Sequence, residues 1–153
     1  MAFMTREKGP LPPVILLTFI VVQIVLHFQL PVAIVIERPW SWAGIGFILT
    51  GVAIIASPAL SFRRSETTII PFKESTSLVV SGMFRITRNP MYLGMVTILT
   101  GVAVISGSLS TFLMPVLFVP VLNRRVIRHE EVMLMDAFGD EYRDYMQQVR
   151  RWL

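Results

Sequence analysis

Three stretches of the chain contain no Asp, Glu, Lys or Arg: Gly9 to Ile36, Pro39 to Phe62 and Asn89 to Asn123. A bilayer core about 30 Å thick is crossed by roughly 20 apolar residues in a helix. The first two stretches hold one such helix each. The third is 35 residues long, about 52 Å as a single helix, and so too long for one crossing. It divides at Ser106-Gly107-Ser108, a cluster of turn-forming residues. The pattern predicts an all-α integral membrane protein with four transmembrane helices in one membrane domain, 1–153. The spans fall at about 12–36, 41–61, 90–105 and 109–127, with a cytoplasmic loop over 62–89.

Past residue 127 the period changes. Val126, Glu130, Leu134, Ala137 or Phe138, Tyr142, Tyr145 and Val149 recur three and four apart, which is an apolar stripe on a helix. An amphipathic helix over 128–151 is expected, lying at the cytoplasmic-side interface. Gly139 weakens a helix by about 1 kcal/mol relative to Ala, so a bend is expected near Phe138-Gly139.

Composition agrees with the pattern. The chain is 54% hydrophobic and 16% charged, against about 25% charged in soluble domains. Disorder is excluded, because disordered chains are polar and charge-rich. There is no cysteine and there are two histidines, His27 and His129, so neither a disulfide framework nor a metal centre is expected. Arg6 and Lys8 before an apolar run have the form of a signal peptide. The run is long and no small-residue cleavage site follows it, so it is expected to be retained.

The positive-inside rule supports four spans. With that count, 13 of the 14 basic residues fall on one side and Arg38 alone falls on the other. Both termini are then cytoplasmic, at the inner (plasma) membrane if the source is prokaryotic. The net charge of +4 reads as orientation and contact with anionic headgroups. No basic patch with stacking aromatics occurs, so nucleic acid is not an expected partner.

One segment repeats. Ile48-Leu49-Thr50-Gly51-Val52-Ala53-Ile54-Ile55 recurs 50 residues later as Ile98-Leu99-Thr100-Gly101-Val102-Ala103-Val104-Ile105, and Gly44 has its counterpart in Gly94. Either an ancient duplication or a shared need for a small-residue packing face accounts for it; the second is the simpler. Such faces also permit a homodimer.

Polar residues gather at two places. Asn89-Pro90 is a helix start, with Asn as N-cap and Pro at the first helical position. Its free N–H groups attract anions, Arg88 precedes it, and Gly94 leaves room for a ligand. In the C-terminal segment Glu130 lies on the apolar stripe with Glu131 beside it. A carboxylate there needs a cation, either a loop arginine or a cationic ligand. Together these suggest a site for a ligand bearing both charges.

Arg88-Asn89-Pro90-Met91-Tyr92-Leu93-Gly94 resembles the Arg-His/Asn-Pro-x-Tyr-x-Gly signature of the isoprenylcysteine carboxyl methyltransferase family and its relatives, the phospholipid N-methyltransferases. Arg128-His129-Glu130-Glu131, Leu134, Phe138-Gly139, Tyr142, Tyr145 and Val149-Arg150-Arg151-Trp152 resemble its C-terminal block. Asn89 leans toward the phospholipid branch, and the Phe-Gly-x-x-Tyr block toward the prenylcysteine branch. The resemblance implies a membrane methyltransferase of the carboxyl type, with S-adenosylmethionine as cofactor and a lipid-like or prenylated acceptor. It implies cofactor binding by Arg88, Asn89, Pro90, Tyr92, Gly94, His129, Glu130, Glu131 and Tyr142, with Arg88 and Glu130 nearest the chemistry. A phosphatidylethanolamine-type N-methyltransferase and a non-catalytic membrane scaffold are the alternatives. His129 is a candidate base for an amine acceptor.

Overall fold

A computed structural model describes residues 11–64 and 78–153, with side chains over 11–58 and 78–153. Arg6, Lys8 and Lys73, and the side chains of Arg63 and Arg64, were counted in the charge map and lie outside that description. All regular structure among the described residues is helical.

Helix α1 is Pro12–Gln29, with proline at its first position. It ends seven residues short of the expected span. Leu30 precedes Pro31, and the proline ring pushes its predecessor out of the helical region; Val32 follows at φ 61°. The chain then pairs with the turn at Gly107–Leu109. Val35 N–H donates to the Gly107 carbonyl at 2.8 Å, and Leu109 N–H to the Ala33 carbonyl at 2.8 Å. A 3-10 turn at Trp40–Trp42 leads into α2, Ala43–Arg64. Helix α3 is Pro90–Ser106 and is closed by Gly107 at φ 67°, in the left-handed C-cap position that glycine favours.

The last part of the chain is more continuous than its sequence suggests. A 3-10 turn at Leu109–Phe112 opens α4, Leu113–Leu122, and a π-turn at Asn123–Ile127 carries the helix into α5, Arg128–Gln148. No break separates α4 from α5. The bend expected near Gly139 is present, as a kink at φ 52°, ψ −120°. Three stretches are long and apolar enough to cross a membrane: Pro12–Gln29, Trp40–Pro58 and Leu109–Gln148; α3 is a shorter apolar helix. Val14, Leu17, Val21 and Val25 of α1 are exposed, an apolar surface of a kind rare on water-soluble monomers.

The repeated segment is the contact between α2 and α3. A Cβ placed on Gly51 would lie 2.6 Å from the Gly94 carbonyl oxygen, and one on Gly94 would lie 2.6 Å from that of Gly51. Gly44 and Gly101 face each other in the same way. Each glycine is also covered by an isoleucine of the opposite helix: Ile105 over Gly44, Ile98 over Gly51, Ile55 over Gly94 and Ile48 over Gly101. The echo is therefore an antiparallel, nearly two-fold packing seam. It uses up within one chain the glycine faces that would have permitted a homodimer; Gly46 faces open space.

The core beside this seam comprises Ile15, Tyr92, Met95, Leu99, Phe118, Leu122 and Ile127. Helix α1 is locked on by polar contacts. Fully buried Gln23 donates from Nε2 to the Leu99 carbonyl at 3.0 Å and the Thr111 carbonyl at 3.1 Å. His27 Nδ1 lies 2.6 Å from Ser108 Oγ, so this histidine is a hydrogen-bonded packing residue. A second buried cluster, Tyr142, Tyr145 and Val149, packs on Leu78, Phe84, Leu134 and Phe138. It holds the segment after the kink against the segment before α3.

Candidate functional site

The site is the junction of three pieces of chain: the start of α3, the start of α5 and the tail after α5. Tyr92, in the first turn of α3, donates its hydroxyl hydrogen to Glu130 Oε1 at 2.6 Å. Glu131 is held by two arginines. Arg151 donates from Nε to Oε1 at 2.9 Å and from Nη2 to Oε2 at 2.5 Å, a two-point grip. Arg88 Nη1 stands 3.2 Å from Oε1 as an ion pair. The hydrogen bond to Glu131 raises the Arg151 pKa above its ordinary value. The cation that the acidic pair required is thus found at Glu131, whereas Glu130 on the stripe takes a hydroxyl.

The tail is fastened across the foot of α3. Arg88 N–H donates to the Arg150 carbonyl at 3.0 Å. The Arg151 carbonyl accepts from Thr87 Oγ1 at 3.1 Å and from Asn89 Nδ2 at 3.0 Å. Trp152 Nε1 donates to Asn123 Oδ1 at 3.2 Å. This corrects the expected role of Asn89. Its side chain makes no cap hydrogen bond; its Nδ2 donates to the tail instead. The start of α3 keeps uncapped N–H groups, and Pro90 sits buried at the first position.

The expected site residues therefore divide. Arg88, Asn89, Tyr92, Glu130 and Glu131 come together. Tyr142 is buried beside them, and the charges of Arg88, Glu131 and Arg151 all bear on its hydroxyl. Gly94 faces α2, so the room expected for a ligand is filled by the Gly51 carbonyl. His129 is exposed and joins none of these hydrogen bonds. Thr87 and Arg151 belong to the junction and were not singled out from the sequence. The only signal was position, since Thr87 adjoins Arg88 and Arg151 lies in the C-terminal motif block.

Arg88 is the unbalanced member. Its side chain is 12% exposed, and its Nε and Nη1 are buried without a hydrogen-bond partner; the Glu131 contact has the distance of an ion pair but not the alignment of a hydrogen bond. Buried donors left unmatched cost about 1–3 kcal/mol each. The arrangement offers an acceptor-bearing anion two N–H groups and a helix start. It offers a cation two carboxylates already partly engaged. Among the described residues no group of His, Asp and Glu could hold a metal ion.

Comparison with known proteins points the same way. A 116-residue stretch is 28% identical to "Probable protein-S-isoprenylcysteine O-methyltransferase" of Oryza sativa, in both subspecies indica and japonica. The match covers 74% of this chain and 60% of the rice proteins. An "Uncharacterized protein" of Haemophilus influenzae is 43% identical over 63 residues, its whole length and 41% of this chain. No solved structure matches. The family model for phospholipid methyltransferases matches residues 39–141, which takes in α2, α3, α4 and most of α5 with the acidic pair. On that match the chain belongs to the phospholipid methyltransferase family.

Proposed function

We propose that this protein is an integral membrane methyltransferase that uses S-adenosylmethionine and acts on a lipid-like or prenylated acceptor, in the manner of a carboxyl methyltransferase. In this reading α1 to α4 make four crossings, both termini are cytoplasmic, and α5 lies along the interface. The observation that carries it is Arg88, with two buried, unmatched donors at the uncapped start of α3. A carboxylate satisfies both donors and is favoured by the helix dipole. The cofactor has a carboxylate, an ammonium group and a sulfonium, and the junction carries a counterpart for each.

When bound, the cofactor supplies an electrophilic methyl group. The chain's own residues then bind, orient and exclude water. Arg88 and the Asn89-Pro90 helix start hold the carboxylate. Glu131 or Glu130 takes the ammonium group or the ribose hydroxyls. Tyr92 and Tyr142 stabilise positive charge with their rings. Arg151 keeps Glu131 in place while the Tyr92 hydroxyl fixes Glu130. A carboxylate acceptor needs no base. An amine acceptor must shed a proton, and His129 is the exposed group on hand.

The family match to phospholipid methyltransferases favours an N-methylating reading as the second choice. Titration of detergent-purified protein with S-adenosylmethionine tests the common part. Binding that disappears in Arg88→Ala and Glu131→Ala supports it; no heat at high micromolar cofactor overturns it in favour of a scaffold. Radiolabelled methyl transfer to extracted lipids then divides the two enzymes. A methyl ester is released by base, whereas an N-methyl group survives.

A further inference from the structure

The described arginines fall into three sets: four with partners, Arg85 and Arg150 exposed and apart from one another, and one cluster. Those of the first set have partners: Arg88 and Arg151 share Glu131, Arg143 pairs with Asp140, and Arg38 lies 5.4 Å over the Trp42 ring. Arg124, Arg125 and Arg128 crowd into five residues, all exposed, and have no carboxylate or ring partner among the described residues. The first two lie in the π-turn Asn123–Ile127, and the third opens α5. π-turns are rare and collect at functional places. This one and the residue that follows it present three guanidinium groups where the apolar helix gives way to polar chain. Exposed Val116 and Leu117 lie on one side of the cluster and exposed Val132 and Met133 on the other. The exposed acidic residues of α5, from Asp136 onward, are at least two turns away.

We infer that Arg124, Arg125 and Arg128 form a binding site for the headgroup of an anionic phospholipid, which seats the start of α5 on the membrane surface. Charge and position together select this occupant. Apolar side chains flank the arginines along the helix, so the ligand is one that presents an anion at the edge of a hydrocarbon phase. Juxtamembrane arginines bind such headgroups through charge, and salt weakens the attraction. Arg128 also lines a cleft of about 390 Å³ with Glu131, Val132, Met135 and Met146. A headgroup held there sits at the mouth of the cleft that has Glu131 in its wall. Lipid binding and the position of the acidic pair are thereby linked through a single helical turn. The link to activity rests on the methyltransferase reading; the lipid site itself does not.

The test uses the full chain, stripped of lipid in neutral detergent and free of cofactor. It is titrated with phosphatidylglycerol, phosphatidylcholine or inorganic phosphate. Phosphatidylglycerol is expected to bind saturably and about tenfold more tightly than phosphatidylcholine, and less tightly as salt is raised. Replacing all three arginines by glutamine should remove that preference. Lysine at the same positions should retain most of it, because an ammonium group carries the same charge. Arg143→Gln, in an exposed pair with Asp140, should leave it unchanged. If the triple glutamine variant does not purify as a single species, Arg125→Gln alone should weaken phosphatidylglycerol about threefold. Equal affinity for the two lipids, or a preference that survives the glutamine changes, overturns the site. Phosphate competing as well as phosphatidylglycerol overturns the lipid as its occupant. All readouts are binding without cofactor, so a failed methyltransferase reading leaves them intact, and a failed lipid site leaves cofactor binding intact.

Discussion

The seam between α2 and α3 and the junction at the foot of α3 share one helix and are built in opposite ways. In the seam, side chains are removed so that backbones meet. Four glycines admit four carbonyls, and isoleucines from the opposite helix close over them. In the junction, side chains span the gaps. Arg88, Thr87 and Asn89 reach a carboxylate and a carbonyl contributed by chain more than forty residues away, and Arg151 reaches the same carboxylate from 20 residues away. Tight backbone packing leaves a seam no latitude. Long polar side chains leave a junction the freedom to exchange one partner for another when a ligand arrives. Rigidity and polar contact thus lie side by side on α3, where seam residue Gly94 follows junction residue Tyr92 by two positions.

The sharpest way to break the comparison is to overfill the seam. Gly51→Val sets a branched side chain against the Gly94 carbonyl 2.6 Å away. Backbone cannot retreat as a flexible side chain can, so a loss on the order of 3 kcal/mol or more is expected. It should appear as a collapsed thermal midpoint and aggregation in size-exclusion chromatography. Deleting Arg150–Leu153 should do the reverse. It takes away the two carbonyl acceptors and the Arg151 grip on Glu131. Cofactor titration should fall by at least tenfold, while far-UV circular dichroism stays helical; an unchanged affinity would separate the tail from the site. Tyr92→Phe removes a single hydrogen bond to Glu130. About 1–2 kcal/mol is expected, read as a roughly tenfold drop in turnover at saturating cofactor. Gly46→Ala is the smallest change. Nothing lies within 4 Å of an added Cβ there and Ala is the better helix former, so no loss and at most a small upward melting shift is expected. A large loss at Gly46 would show that glycine content, and not seam contact, sets stability.

The helices were legible because a charge-free run has little choice in a membrane. The turn at Ser106-Gly107-Ser108 and the bend at Gly139 followed from residues with one strong local preference. The shortened α1 had its signal too, in Leu30 before Pro31, but hydropathy alone ran past it. The junction was legible by type and not by partner. A carboxylate on an apolar stripe announced its need for a cation, yet no spacing tells that Glu131 takes the arginines while Glu130 takes Tyr92. Thr87 and Arg151 were missed because half of their bonding runs through the Arg151 backbone carbonyl, a group that every residue has. The Asn89 side chain illustrates the same point. It suits a helix cap, but in the structure it bonds the tail and makes no cap hydrogen bond.

The reciprocity of the glycine seam also constrains how this region can vary in length. Gly44 meets Gly101 and Gly51 meets Gly94, so both contacts share one register across a pair of antiparallel helices. Inserting a residue between Gly94 and Gly101 would swing one glycine about 100° around its helix relative to the other. One contact could then form only at the other's expense. The two seven-residue intervals act as matched rulers. Related chains should alter them together or not at all.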